Sequence, residues 1–187
     1  MKRQTVLKIF SHIPNIETER LVLRQLRTSD AFDMFEYARR PDVTRYLLWS
    51  PHPSIEHTKQ YLEYLQTRYA AGDFYDWAVV LKSEQKMIGT CGFVKFDLTN
   101  NNGEIGYVIN PAYAGHGYAT EAAYAVLRFG FDNLKLRRIQ AQYMVGNLAS
   151  RRVMEKLGMT EEGTLRDAYL VNGSYRTVTV FSAINDK

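Results

Sequence analysis

The stretch Asn110-Pro-Ala-Tyr-Ala-Gly115-His-Gly117-Tyr-Ala-Thr120-Glu121-Ala122 decides how the rest of the chain is read. A β-rich run, residues 103–109, leads into it. Beyond it, Ala122, Val126, Phe129 and Gly130 recur at near-helical spacing over residues 118–133. Between strand and helix lies a turn holding Gly115 and Gly117. The first four backbone N–H groups of a helix have no partner inside it, and its dipole is positive there. A glycine turn at that point lets an anion approach the backbone closely. The stretch therefore reads as a cradle for phosphates, set against the plainer reading of an ordinary strand-to-helix turn.

Upstream, β-rich runs at 75–81, 87–96 and 104–109 are separated by a polar turn at 82–86 and a Leu98-Thr-Asn-Asn-Asn-Gly103 turn. That order is an antiparallel meander leading into the glycine turn. Gly89 and Gly92 mark a bulge or a close backbone approach in its middle strand. Earlier still, residues 17–26 alternate apolar and charged, the pattern of a half-buried strand. Thr28-Ser-Asp30 supplies N-cap chemistry for a helix that ends at Pro41. Residues 42–53 form an irregular aromatic segment with a short helix at 43–46. Ser54 then starts a helix over 54–71, closed by Gly72.

Downstream, residues 138–144 alternate as a strand. Asn147-Leu-Ala-Ser150 caps a helix at 150–157, ended by Gly158. Strand signals follow at 159–165 and 169–171, then an Asn172-Gly173 hairpin turn and a strand at 175–183. The order β α α β β β α β α β β predicts one α/β domain over residues 1–187, with its core at 18–183 and a mixed sheet.

The chain has 187 residues, 45% hydrophobic and 24% charged. A domain of that size buries roughly 70% of its unfolded surface and needs no disulfide or metal staple. Cys91 is the only cysteine, so an internal disulfide is impossible and a cytoplasmic setting is expected. No run of about 18 apolar residues suggests a membrane span. Residues 1–10 are basic but lack the long apolar core of a signal peptide. The net charge of +4 suits a plain, mildly basic protein as well as one attracted to a polyanionic ligand or a ribonucleoprotein. Direct nucleic-acid binding is not expected; nor is a metal site, because no His/Cys/Asp cluster has metal-ligand spacing.

Four segments in this order and spacing resemble the Gcn5-related N-acetyltransferase superfamily: residues 18–24 (Thr-Glu-Arg-Leu-Val-Leu-Arg), 103–109 (Gly-Glu-Ile-Gly-Tyr-Val-Ile), 115–122 (Gly-His-Gly-Tyr-Ala-Thr-Glu-Ala) and 147–159 (Asn-Leu-Ala-Ser-Arg-Arg-Val-Met-Glu-Lys-Leu-Gly-Met). Within the superfamily they look most like the branch that acetylates the N-terminal alanine or serine of ribosomal proteins. The resemblance spans residues 18–183. It implies acetyl-coenzyme A as co-substrate, a primary amine as acceptor, and a mostly antiparallel sheet, flanked by helices, that splays at the cofactor site between residues 104–109 and 138–144. It also implies that the pantetheine arm pairs with backbone of Tyr107, Val108 and Ile109, and that Gly115, His116, Gly117, Tyr118, Ala119 and Thr120 face the pyrophosphate. Where the family commonly has Gln or Arg, three residues before the first glycine, this chain has Ala112.

The same resemblance gives Asn147 a contact to the arm and puts Ser150 near the sulfur, where its hydroxyl donates to the departing thiolate. The plainer role of both is helix capping, and the two roles are compatible. Glu104 reads as a base for the acceptor ammonium, set against an exposed sheet carboxylate or an electrostatic anchor for the amine. Glu121 reads as a structural ion-pair partner, and Arg20 and Arg24 as structural charges on a strand face. Tyr143, Tyr169 and Tyr175 are alternatives to Ser150 as proton donor. Trp49, His52 and Trp77 pack the core or line an acceptor groove built from residues 43–60 and 165–177. The expected chemistry is direct transfer in a ternary complex, with a backbone N–H near Val108 polarising the thioester oxygen. A small-amine acceptor (polyamine, aminoglycoside or amino acid) and a non-catalytic coenzyme-A-binding module are the rivals. An acidic, closed pocket favours the polyamine and an open channel the peptide N-terminus. Monomer and homodimer are both open.

Overall fold

Period-two alternation at the start of the chain yields two short strands, β1 (Ile16–Glu17) and β2 (Leu21–Arg24), and β2 buries Leu21 and Leu23 on one face. The computed structural model describes residues 3–185; Met1 and Lys2 of the basic N-terminal stretch lie outside the described residues. A helix not expected from the sequence, α1 (Arg3–Phe10), precedes β1 and drives Phe10 into a ring cluster, 4.9 Å from Tyr75 and 5.6 Å from Trp77 between centroids. Eight residues are too few to give a strong helical period, and packing rather than propensity holds this helix.

Residues 28–30 form a 3-10 turn before α2 (Ala31–Ala38). The capping expectation fails in detail. The Asp30 carboxylate turns back to accept the Arg27 N–H at 2.8 Å and pairs with Arg24 at 2.7 Å, leaving no side-chain cap on α2. The short helix α3 spans Pro41–Thr44, two residues earlier than expected, because Pro41 pre-sets its first turn. Ser54 caps α4 (Ile55–Ala71) by accepting the His57 N–H, and Gly72 closes it at φ +69°.

The meander follows as β3 (Asp76–Leu81), β4 (Lys86–Asp97) and β5 (Asn102–Ile109). After the glycine turn come α5 (Tyr118–Asp132), β6 (Arg138–Met144), α6 (Leu148–Lys156), β7 (Thr160–Val171) and β8 (Ser174–Ile184). Here α6 starts at Leu148, because Asn147 rather than Ser150 is its N-cap. The two runs expected at 159–165 and 169–171 are one strand, β7, whose register shifts at Glu161/Gly163 and Leu165/Tyr169 had hidden its continuity. Asn172 and Gly173, both at positive φ, turn it into β8.

Among the described residues, eight strands form one sheet in the order β1-β2-β3-β4-β5-β6-β8-β7, antiparallel except at β5–β6. Alternation along the central strands sorts the core. Trp77 points toward Phe10 and Phe129, on the side of α1 and α5. Asp76, Thr90 and Val108 face the other side, where a cavity separates them from Tyr37 of α2 and Tyr61 of α4. Among the described residues, no helix is long and apolar enough to cross a membrane.

Candidate active site

The parallel ladder between β5 and β6 joins only Asn102 to Arg138, Gly103 to Ile139 and Glu104 to Gln140. Beyond that point β5 stays with β4 as far as Gly89↔Ile109, and β6 stays with β8 as far as Met144↔Val178. Each strand follows its own antiparallel neighbour, so the sheet opens as a wedge. Residues 105–109 leave about 16 Å of β5 edge without a partner strand. Backbone N–H and C=O groups along such an edge are free to pair with an extended ligand.

α6 closes the narrow part of the wedge. Asn147 Oδ1 accepts the Ser150 N–H at 3.2 Å, which fixes Ser150 in the first turn. The Tyr107 hydroxyl donates to the Ser150 carbonyl at 3.0 Å and lies 3.0 Å from Ser150 Oγ. Burial pushes the Tyr107 phenol well above its usual value, so it stays protonated. Sequence reading took only the backbone of Tyr107 into account. The other tyrosines weighed there lie elsewhere. Tyr143 is buried against Phe181, Tyr169 accepts the Gln142 amide at 2.5 Å, and Tyr175 is exposed.

From Asn147 and Ser150 a cavity of about 640 Å³ runs past Tyr107, Val108 and Ile109 to Gly115, Gly117, Tyr118, Ala119 and Thr120. Gly115 and Gly117 hold φ of +83° and +82°, a region that penalises any Cβ. The buried Asn110 steadies the turn, accepting the Ala112 N–H at 3.1 Å and donating to Glu36 at 3.1 Å. The His116 ring is exposed, stacked on Tyr118 at 5.7 Å, and does not line the cavity. Arg20 supports the same turn. It donates to the His116 carbonyl at 2.9 Å, lies over the Tyr118 ring and pairs with Glu121 at 2.6 Å. Glu121 also accepts the Thr18 hydroxyl, so both charges are structural, as their positions suggested.

Glu104 sits at the apex of the wedge, 4% exposed. It accepts Gln140 at 2.7 Å and Gln142 at 3.0 Å and pairs with Lys95 at 3.1 Å. Its hydrogen bond holds the Lys95 ammonium above its usual value. Glu104 is therefore not the exposed sheet carboxylate that was one of its readings, because two amides and an ammonium hold it inside the wedge.

On the α2–α4 side of the sheet lies a second cavity of about 550 Å³, lined by Trp49, His52, Tyr61 and, at its floor, Asp76. Residues 49–53 line it as expected, but 165–177 do not; that segment reaches the site only through Tyr169, in the wedge. Trp77 is wholly buried and belongs to the core. Burial pushes the Asp76 carboxyl up to about 7, against the pull of hydrogen bonds from Thr90 and the Trp77 amide. Sequence reading passed over this residue. Its signal was an acid opening the apolar run Trp77-Ala-Val-Val-Leu81, where Asp is disfavoured. Cys91 is buried, and burial pushes its thiol well up, so it is no nucleophile.

The acetyltransferase (GNAT) domain family matches residues 20–160. The N-acetyltransferase YoaA of Bacillus subtilis (strain 168) is 32% identical over 93% of this chain and 98% of its own. The N-acetyltransferase p20 of Bacillus licheniformis is 31% identical over 89% and 94%. A GNAT-family acetyltransferase from Bacillus anthracis superposes with a TM-score of 0.83, at 30% identity, over 93% of this chain and 100% of its own. The ribosomal-protein-S5-alanine acetyltransferase of Vibrio fischeri gives 0.76, at 27% identity, over 93% and 98%. A spermidine N(1)-acetyltransferase of Vibrio cholerae is 24% identical over 84% and 89%. With its splayed sheet and glycine turn, the chain belongs to the Gcn5-related N-acetyltransferase (GNAT) family and is an acyltransferase.

Proposed function

We propose that this protein transfers the acetyl group of acetyl-coenzyme A to the N-terminal amine of a protein, such as a ribosomal protein, by direct attack within a ternary complex. One observation carries the reading: a single cavity links the left-handed glycine turn, the unpaired β5 edge and the Tyr107–Ser150 hydroxyl pair. That sequence of surfaces fits a pyrophosphate, an extended amide arm and a thioester in turn. Backbone N–H groups from Gly115 to Thr120 bind the phosphates, and Tyr107, Val108 and Ile109 bind the arm. Asn147 orients the arm's end. Ser150, backed by the protonated Tyr107, donates a proton to the leaving sulfur. Glu104 holds negative charge at the apex of the wedge. The same reading takes residues 1–187 as one catalytic domain working in the cytoplasm.

Relatives point to two acceptor classes, a ribosomal protein and a polyamine. The acceptor-side cavity offers one carboxylate, Asp76, and otherwise mainly apolar and aromatic walls. A polyamine carries several separated charges, each of which needs a partner when buried. Coenzyme A release, measured across N-terminal peptides, spermidine and an aminoglycoside, tests the choice. Turnover of peptides above the amines is expected; preferred turnover of spermidine would replace this reading with the small-amine one.

A further inference from the structure

We propose that Asp76 receives the ammonium of the acceptor and takes its proton, and that the cavity beside it holds an apolar first side chain of the acceptor peptide. This rests on the N-terminal acetyltransferase reading above and names the acceptor within it.

The geometry starts with two glycines. Asp76, Gly92 and Gly106 are cross-strand neighbours on β3, β4 and β5. A Cβ on Gly92 would stand 2.7 Å from Asp76 Oδ1 and 2.4 Å from its Cα. The carboxylate thus lies over β4, in space that only a glycine leaves free. Gly106 continues the bare strip to the open edge of β5. Two strand spacings, about 10 Å, separate Asp76 from Gly106 at Cα. The reach of the side chain and one charge-assisted hydrogen bond of about 2.8 Å span most of that gap. Val108, on the same face and paired with Thr90, lines the Asp76 cavity and the cofactor cavity alike. An amine held by Asp76 is therefore delivered to the strand where the thioester is expected.

The occupant follows from the walls. Asp76 lies at the junction of two spaces, which share Trp49, Phe74, Thr90 and Val108. One is the mainly apolar cavity of about 550 Å³, within the usual range for a ligand. The other is a groove of about 620 Å³ running past Phe96 and Lys95. A monocation with an apolar substituent and a continuing chain fits both: the side chain fills the cavity and the peptide leaves along the groove.

Around Asp76 the other titratable groups are phenols, a thiol, an arginine and the imidazoles of His52 and His57. Burial raises the phenols of Tyr37 on α2 and of Tyr61 and Tyr69 on α4, and the thiol of Cys91 on β4. Arg68 is tied to Asp73 at 2.6 Å. Burial and the neighbouring His57 push His52 down, toward the neutral form. An Asp76 carboxyl near 7 is matched to proton transfer at neutral pH. The step balances. The ammonium gives one proton to the Asp76 carboxylate, and the neutral nitrogen forms the N–C bond. The C–S bond then breaks, the nitrogen's second proton leaves to solvent, and the thiolate takes the Ser150 proton, which solvent restores.

The test is full-length Asp76→Asn, compared with wild type on peptides that begin with Leu, Phe or Asp, and on spermidine. Expected in the variant is a loss of at least about 100-fold in kcat/KM, acetyl-coenzyme A affinity within about twofold, and loss of the acidic limb that wild type shows near pH 7. Its Tm at pH 8 should equal or exceed that of wild type. The reason is that the fold favours the protonated carboxyl, so this contribution is full below the ordinary carboxylate value and is lost as pH rises through 7. Activity within threefold of wild type, or an unchanged acidic limb, overturns the assignment. Leu- and Phe-peptides should exceed the Asp-peptide at least tenfold in wild type; preference for the Asp-peptide or for spermidine overturns the occupant. Wild type that binds acetyl-coenzyme A but acetylates no amine refutes the acetyl-transfer reading itself, a result separate from any loss confined to Asp76→Asn.

Discussion

The proposed cofactor cavity depends chiefly on backbone conformation, and the proposed acceptor cavity on which side chains converge there. Along the first, a glycine turn, an unpaired strand edge and one hydroxyl pair follow each other from residue 104 to 120, with Asn147 and Ser150 added from α6. Around the second, a carboxylate from β3, a threonine from β4, rings from α2 and α4 and an aromatic loop converge from five separate parts of the chain. Backbone recognition tolerates side-chain drift so long as the conformation survives. Side-chain recognition changes with each substitution, which is consistent with relatives that share the fold and differ in named acceptor.

Substitutions on the two sides should separate these roles. The largest effect on the cofactor side belongs to Ser150→Ala, which removes the proposed donor to the thiolate. Steady-state kinetics should show kcat reduced about 100-fold with little change in KM for acetyl-coenzyme A. Gly117→Val comes next. A β-branched residue at φ +82° costs about 2 kcal/mol; the free turn relaxes to escape that strain and binding must restore it, so calorimetry should show acetyl-coenzyme A bound about 30-fold more weakly. Glu104→Gln leaves Lys95 unpaired and turns an amide donor toward Gln140 or Gln142. About 2 kcal/mol of stability should be lost, a fall in Tm of roughly 5 °C. The smallest effect is that of Arg20→Ala. Its ion pair with Glu121 is part-exposed, so denaturant unfolding should move by less than about 1 kcal/mol. A large loss of acetyl-coenzyme A binding in that variant would make Arg20 a phosphate contact and blur the contrast.

How well the sequence could be read follows the same division. The glycine turn, the α5 period and the Asn147 cap are local patterns, so their positions came out within a residue or two. The wedge was legible only through resemblance to a family, because where a parallel ladder stops is decided by the strands on either side of it. α1 was missed because its two buried residues, Val6 and Phe10, gain their value from a distant aromatic cluster. Asp76 was missed for a similar reason. Its meaning depends on Gly92 beside it, on another strand, and on rings that Tyr37, Trp49 and Tyr61 bring from separate elements. Of the two segments expected to build an acceptor groove, residues 49–53 line the cavity over Asp76, whereas β7 turned toward the wedge.

Direct transfer is the claim on which both sides depend, since it requires the two cavities to be filled at once. The most direct measurement is initial velocity of the full-length protein with acetyl-coenzyme A and a Leu-first peptide varied together. Intersecting double-reciprocal lines are predicted, because peptide at Asp76 and thioester at Val108 must meet in one complex. Parallel lines, with an acetylated protein trapped in the absence of peptide, would contradict it.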